Sequence, residues 1–123
     1  LIYLVLGYFF EQNIHFPTSM THLTIYNGQN DLIEFPESLL SITLHDPTIE
    51  MIEKLPNGIK ELTIYFFDTK MKLENLPNSI EKIEIFNNEI ISKHTPHIHS
   101  DIDWIIYPAS LKSLKINDSN IKI

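Results

Sequence analysis

Five times along this chain a large apolar residue is followed directly by proline, at Phe16-Pro17, Phe35-Pro36, Leu55-Pro56, Leu76-Pro77 and Tyr107-Pro108. Successive prolines stand 19, 20, 21 and 31 residues apart. The positions that follow each proline repeat as well. Three residues on are Met20, Leu39, Ile59, Ile80 and Leu111; six on are Leu23, Ile42, Leu62, Ile83 and Leu114; eight on are Ile25, Leu44, Ile64, Ile85 and Ile116. Leu1, Leu4 and Leu6 show the same three-then-two spacing, so the chain opens inside a sixth copy without a proline. A period near 20 residues marks a stacked array, in which each unit hides its apolar face only against its neighbours.

Within one copy, offsets six and eight have period two and fall on one face of a strand. Offset three turns inward on the approach, and offsets five, seven and nine face the other way. Proline has no N–H and fixes φ, so it bars the start of each copy from a hydrogen-bonded ladder, and it pushes the residue before it into extended backbone. Ser19, Ser38, Ser79 and Ser110, with Gly58 in the fifth case, stand two residues after the prolines. That placement suits a tight turn closed by a hydroxyl. One strand per copy, always entered from the same side, gives parallel pairing. We therefore expect a solenoid with a single curved parallel sheet of about six short strands. The return segments run about ten residues with one inward apolar residue each (Ile14, Ile33, Ile52, Leu73), and turns or single 3₁₀ turns are expected there. All of 1–123 reads as one repeat domain, with copies near 1–15, 16–34, 35–54, 55–75, 76–106 and 107–123, the fifth carrying an insertion at 89–106.

Composition narrows the function classes. The net charge of −7 and the absence of arginine argue against a nucleic-acid partner, whose phosphates are met by clustered Lys and Arg. With no cysteine there is no disulfide, thiolate metal site or cysteine nucleophile. Leu1 to Phe10 is very apolar, yet its length is well short of the ~20 residues a membrane-spanning helix needs. It also fits the repeat, so we read it as core and expect no membrane partner. Because Leu1 lies in mid-repeat, a piece of a longer product is expected.

The motif Leu-x-x-Leu-x-Leu resembles a leucine-rich repeat, and Pro-x-Ser-Leu-x-x-Leu-x-Leu resembles its FNIP subgroup. Leu4-Val5-Leu6-Gly7-Tyr8-Phe9-Phe10-Glu11-Gln12-Asn13-Ile14 is the best local match, with Glu11 where the subgroup has Asn. Later copies keep the strand and the proline and lose the Gly and the Phe-Asn pair; the leucine-rich-repeat asparagine survives only as Asn88. The resemblance implies an α/β-type horseshoe that is mostly β, acting as a protein-binding module. Such repeats are numerous in social amoebae and giant DNA viruses, which implies an intracellular or virion location. Some stand behind an F-box, which makes substrate recognition for a ubiquitin ligase one alternative. A structural component of a larger, viral assembly is the other.

Candidate functional residues follow from the outward offsets. Tyr26, His45, Tyr65 and Phe86 share offset nine in four successive copies, beside His22, Glu61, Lys82 and Glu84 at offsets five and seven. Aromatic side chains offer large contact area at low entropic cost, so this face is the expected protein-binding surface. Aromatics and the rank Thr24, Thr43 and Thr63 also favour strands for packing reasons alone. The insertion holds His94, His97, His99, Asp101 and Asp103, whose nitrogen and oxygen donors suit zinc or nickel. Its plainer reading is a polar surface excursion anchored by Ile102, Trp104, Ile105 and Ile106, so no metal and no cofactor is assigned. No nucleophile elbow or phosphate-binding glycine loop occurs, and a flat sheet face is not a preorganised cleft, so the expectation is a non-enzyme. Asn117-Asp118-Ser119 matches a glycosylation sequon by chance.

Overall fold

In a computed structural model of the chain, residues 3–6, 16–26, 34–65, 72–87 and 105–123 are described. Seven strands form one sheet in chain order: β1 (Tyr3–Leu6), β2 (His22–Ile25), β3 (Ser41–His45), β4 (Glu61–Tyr65), β5 (Lys82–Phe86), β6 (Ser113–Ile116) and β7 (Ser119–Ile121). A single short helix, α1 (Ile49–Glu53), lies between β3 and β4. The sheet is parallel from β1 to β6 and antiparallel only at the last step.

The register follows the repeat throughout. Leu4, Leu23, Ile42, Leu62, Ile83 and Leu114 are successive Cα partners, so offset six makes one continuous column across six strands. Every residue at offsets three, six and eight from Met20 to Ile116 is buried, none more than 8% exposed. These columns make one core, with Phe16 and Phe35 packed against it. Burying each Leu or Ile contributes about 1.5–3 kcal/mol, and no single copy gains it alone.

Entry into each strand is made by a repeated turn. The N–H at offset three donates to the proline carbonyl in all five copies, from Met20 to Pro17 at 3.2 Å through Leu111 to Pro108 at 3.1 Å. The serine hydroxyl is not the group that closes this turn. Ser38 donates to Met20 O at 2.6 Å, Ser79 to Ile59 O at 2.7 Å and Ser110 to Ile80 O at 2.7 Å, each reaching the preceding copy. The expected local turn bond is thus replaced by a bond between copies. Backbone bonding alone already closes the turn, which leaves the hydroxyl for a carbonyl that would otherwise be buried without a donor.

The return segments differ from expectation in one place. Residues 49–53 are α-helical, not 3₁₀. Thr48 supplies the N-cap, its hydroxyl accepting from Met51 N at 3.2 Å, and Glu50 sits in the first turn where the helix dipole favours a negative charge. Met51 and Ile52 face the core. Further on, Leu73 and Ile105 form a parallel bridge on the back, and Ile106 N donates to Leu73 O at 2.8 Å. Of the expected anchors for the insertion, Ile105 is buried and Ile106 is 52% exposed, because bridge neighbours point to opposite sides. Ile102 and Trp104 lie outside the described residues, as do Ile14 and Ile33.

Candidate functional site

The outward face of the sheet brings the sequence-selected residues into three ranks. Offset nine is a column of rings. Tyr26 and His45 lie with centroids 4.2 Å apart, His45 and Tyr65 4.5 Å, and Tyr65 and Phe86 4.7 Å, with interplanar angles of 28°, 4° and 11°. The spacing is that of parallel strands, about 4.8 Å. In-register pairing of His45 with Tyr65 and of Tyr65 with Phe86 leaves these side chains nowhere to go but face to face. Each ring is half-buried by its neighbours, so the column presents ring edges outward. Burial holds the His45 imidazole below its ordinary value, which keeps it neutral among its neighbours at pH 7.

Beside the rings runs the rank Thr24, Thr43, Thr63, Glu84 and Lys115, then His22, Ser41, Glu61, Lys82 and Ser113. The Thr21 hydroxyl lies 2.9 Å from His22 Nδ1. Lys82 Nζ and Glu84 Oε1 pair at 3.3 Å along β5, and Glu61 stands opposite Lys82 on β4. Charge is therefore gathered over β4 to β6, while the face of β2 and β3 is aromatic, hydroxyl and imidazole.

A second charged column was missed by reading only the outward offsets. At offset four, Glu81 lies between Lys60 and Lys112, with contacts of 3.5 and 3.4 Å. Lys112 first, and then Lys60, hold the Glu81 carboxyl below the usual carboxylate range. The alternation of Lys60, Glu81 and Lys112 at one offset in three successive copies was a legible signal.

Asn117 continues the ring column by position and does something different with it. Its Oδ1 accepts from Asn87 N at 2.8 Å and its Nδ2 donates to Asn87 O at 2.7 Å. An amide committed at both ends is a poor glycan acceptor, in keeping with the chance reading of the sequon. His94, His97, His99 and Asp101 lie outside the described residues, and among the described residues no group of three or more His, Asp or Glu converges as a metal site. No helix among them is long and apolar enough to cross a membrane.

No family model matches the chain, and no solved structure matches it. It is similar to a Dictyostelium discoideum protein named a probable serine/threonine-protein kinase, fnkA, with 27% identity over 131 residues. That match takes in 87% of this chain and 16% of the kinase-named protein, so the chain spans about a sixth of its relative's length.

Proposed function

We propose that this chain is a leucine-rich-repeat-like solenoid of the FNIP kind and serves as a non-enzymatic interaction or scaffold module. Its partner is a protein, bound through the outward strand face. The observation that carries this reading is the ring column Tyr26, His45, Tyr65 and Phe86, flanked by charges at Glu61, Lys82 and Glu84. A stacked column is held in place before any partner arrives, so little side-chain entropy is lost on contact. The adjoining charges then select among partners and speed their approach. A net charge of −7 with no arginine favours a protein over a nucleic acid in that role.

The similarity to the kinase-named amoebal protein is compatible with a module carried within a larger chain. Only 16% of that protein is involved, and the glycine-rich phosphate loop that kinase chemistry needs is not found in this sequence.

The reading is tested by Tyr26→Ser, Tyr65→Ser and Phe86→Ser made together. Proteins cross-linked to the wild-type chain in its own cells are identified first, and the strongest is then purified and titrated. A loss of affinity of at least tenfold, with the melting transition kept cooperative, is expected. An unchanged affinity would remove this face as the docking surface.

A further inference from the structure

The two ends of this sheet are complementary by construction. β1 and β6 carry the same apolar spacing, and every pairing between them keeps one register. Extending that register beyond β6 would set Ser113, Leu114, Lys115 and Ile116 against Tyr3, Leu4, Val5 and Leu6 of a second copy. The place is taken by β7. It runs antiparallel, with Leu114 opposite Ile121, Lys115 opposite Asn120 and Ile116 opposite Ser119. The reversal is made by Asn117 and Asp118 alone, two consecutive non-glycine residues with φ of 51° and 68°. Positive φ at both central positions is what a two-residue type I′ hairpin loop requires, and Asn and Asp tolerate it best after glycine. The Asn117 amide then pins the loop to the backbone of Asn87 through both of its polar atoms. Ser119 and Asn120 are exposed, so the new edge is short and polar where a bare β6 edge would be neither capped nor interrupted.

We propose that β7 is an edge cap acting within the chain, and that a second copy of this chain is what it excludes. With β7 displaced, the β1 edge of one molecule pairs in parallel with β6 of the next. Because that contact joins unlike surfaces, it repeats head to tail and makes an open filament, not a closed dimer. The inference goes beyond the partner-binding face and does not depend on it.

The chain has no cysteine, so one engineered pair reports the contact without background. Val5→Cys and Lys115→Cys lie on β1 and β6, roughly 24 Å apart within a molecule. Across the proposed junction they are direct neighbours, within the reach of a disulfide. The pair is placed in three full-length backgrounds: the hairpin intact, the hairpin opened by Asn117→Val with Asp118→Val, and the hairpin opened by Ile121→Pro. Under mild oxidation both opened backgrounds should give a ladder of dimers, trimers and longer species on a non-reducing gel, several-fold stronger than the intact one. A control pair, Val5→Cys with Lys82→Cys, should give none, because β5 is covered on both sides. Absence of a ladder in both opened backgrounds overturns the proposal, as does an equal ladder with the hairpin intact or with the control pair. Loss of the β-sheet circular dichroism in both opened backgrounds also overturns it, since β7 would then be core and not a cap.

Discussion

His45 is the residue where packing and titration meet. Its ring lies between those of Tyr26 and Tyr65, at 4.2 and 4.5 Å, and burial depresses its proton affinity from the ordinary 6.5. The unfolded chain therefore takes up a proton over a range of pH in which the folded chain does not. Stability from this residue is fully present above pH 6.5 and is lost as pH falls from there through the folded value. His45→Phe keeps a ring in the column and removes the proton site. We expect its urea midpoint to fall less than that of wild type between about pH 7.5 and pH 5.5. Equal slopes for the two proteins would show that His45 does not carry this dependence. Glu81 acts in a separate window. Its lowered value gives stability that is present above 4.5 and lost in more acid solution, so it does not confuse the comparison. The ring column itself was legible in the sequence, because four aromatic residues at one offset of a parallel array have only one place to stand. The depressed proton affinity of His45 was not legible, since it depends on how completely two flanking rings exclude water.

At the scale of the element, the informative unit is the turn that feeds each strand. Proline, backbone turn and serine recur in it, but the serine acts between copies. Copy four breaks the pattern with Gly58, whose φ is not positive, so the position does not need glycine for its backbone. A Cβ there would meet the Glu37 carbonyl at 3.5 Å, an ordinary contact. By analogy with Ser38 and Ser79, a serine hydroxyl at this position would reach Leu39 O. Gly58→Ser should therefore stabilise the fold by about 0.5–1.5 kcal/mol, from one added hydrogen bond and a less flexible unfolded chain. Ser79→Ala should cost about 1 kcal/mol by leaving Ile59 O without its donor. Chemical denaturation with a shared slope measures both, and a Gly58→Ser protein no more stable than wild type would refute the role given to the hydroxyl. Elements outside the repeat were harder to read. The helix α1 depends on a Thr48 cap in one copy only, and β7 depends on two residues accepting left-handed backbone, a choice that hydrophobic spacing does not encode. The histidines of the insertion stand where no repeat constrains them, so their spacing along the chain did not determine a ligand geometry.

Across the whole molecule, each of the six parallel strands is bonded only to the copy before and the copy after. Stability should then be a sum of copy terms and interface terms, and damage should spread according to position. Leu62 is in the middle of the offset-six column, between Ile42 and Ile83, and Leu114 is near its end, followed only by Ile121 across the hairpin. Both are almost completely buried, 1% and 2% exposed, so the two alanine substitutions remove equal chemistry from equally dry sites. Each cavity is worth about 2–5 kcal/mol locally. At Leu62 both flanking interfaces weaken, and the array can relieve them only by opening as a whole or splitting in two. At Leu114 the last interface can open by itself, releasing β6 and β7 while β2 to β5 stay stacked. Native-state hydrogen exchange distinguishes these cases. Leu62→Ala should reduce protection from β2 through β6 together, whereas Leu114→Ala should reduce it in β6 and β7 and leave Ile42 and Leu62 amides near their wild-type values. Uniform loss of protection in the Leu114→Ala protein would mean that the array unfolds in one step from either end. The coupling along the columns would then extend over the full sheet, beyond neighbouring copies.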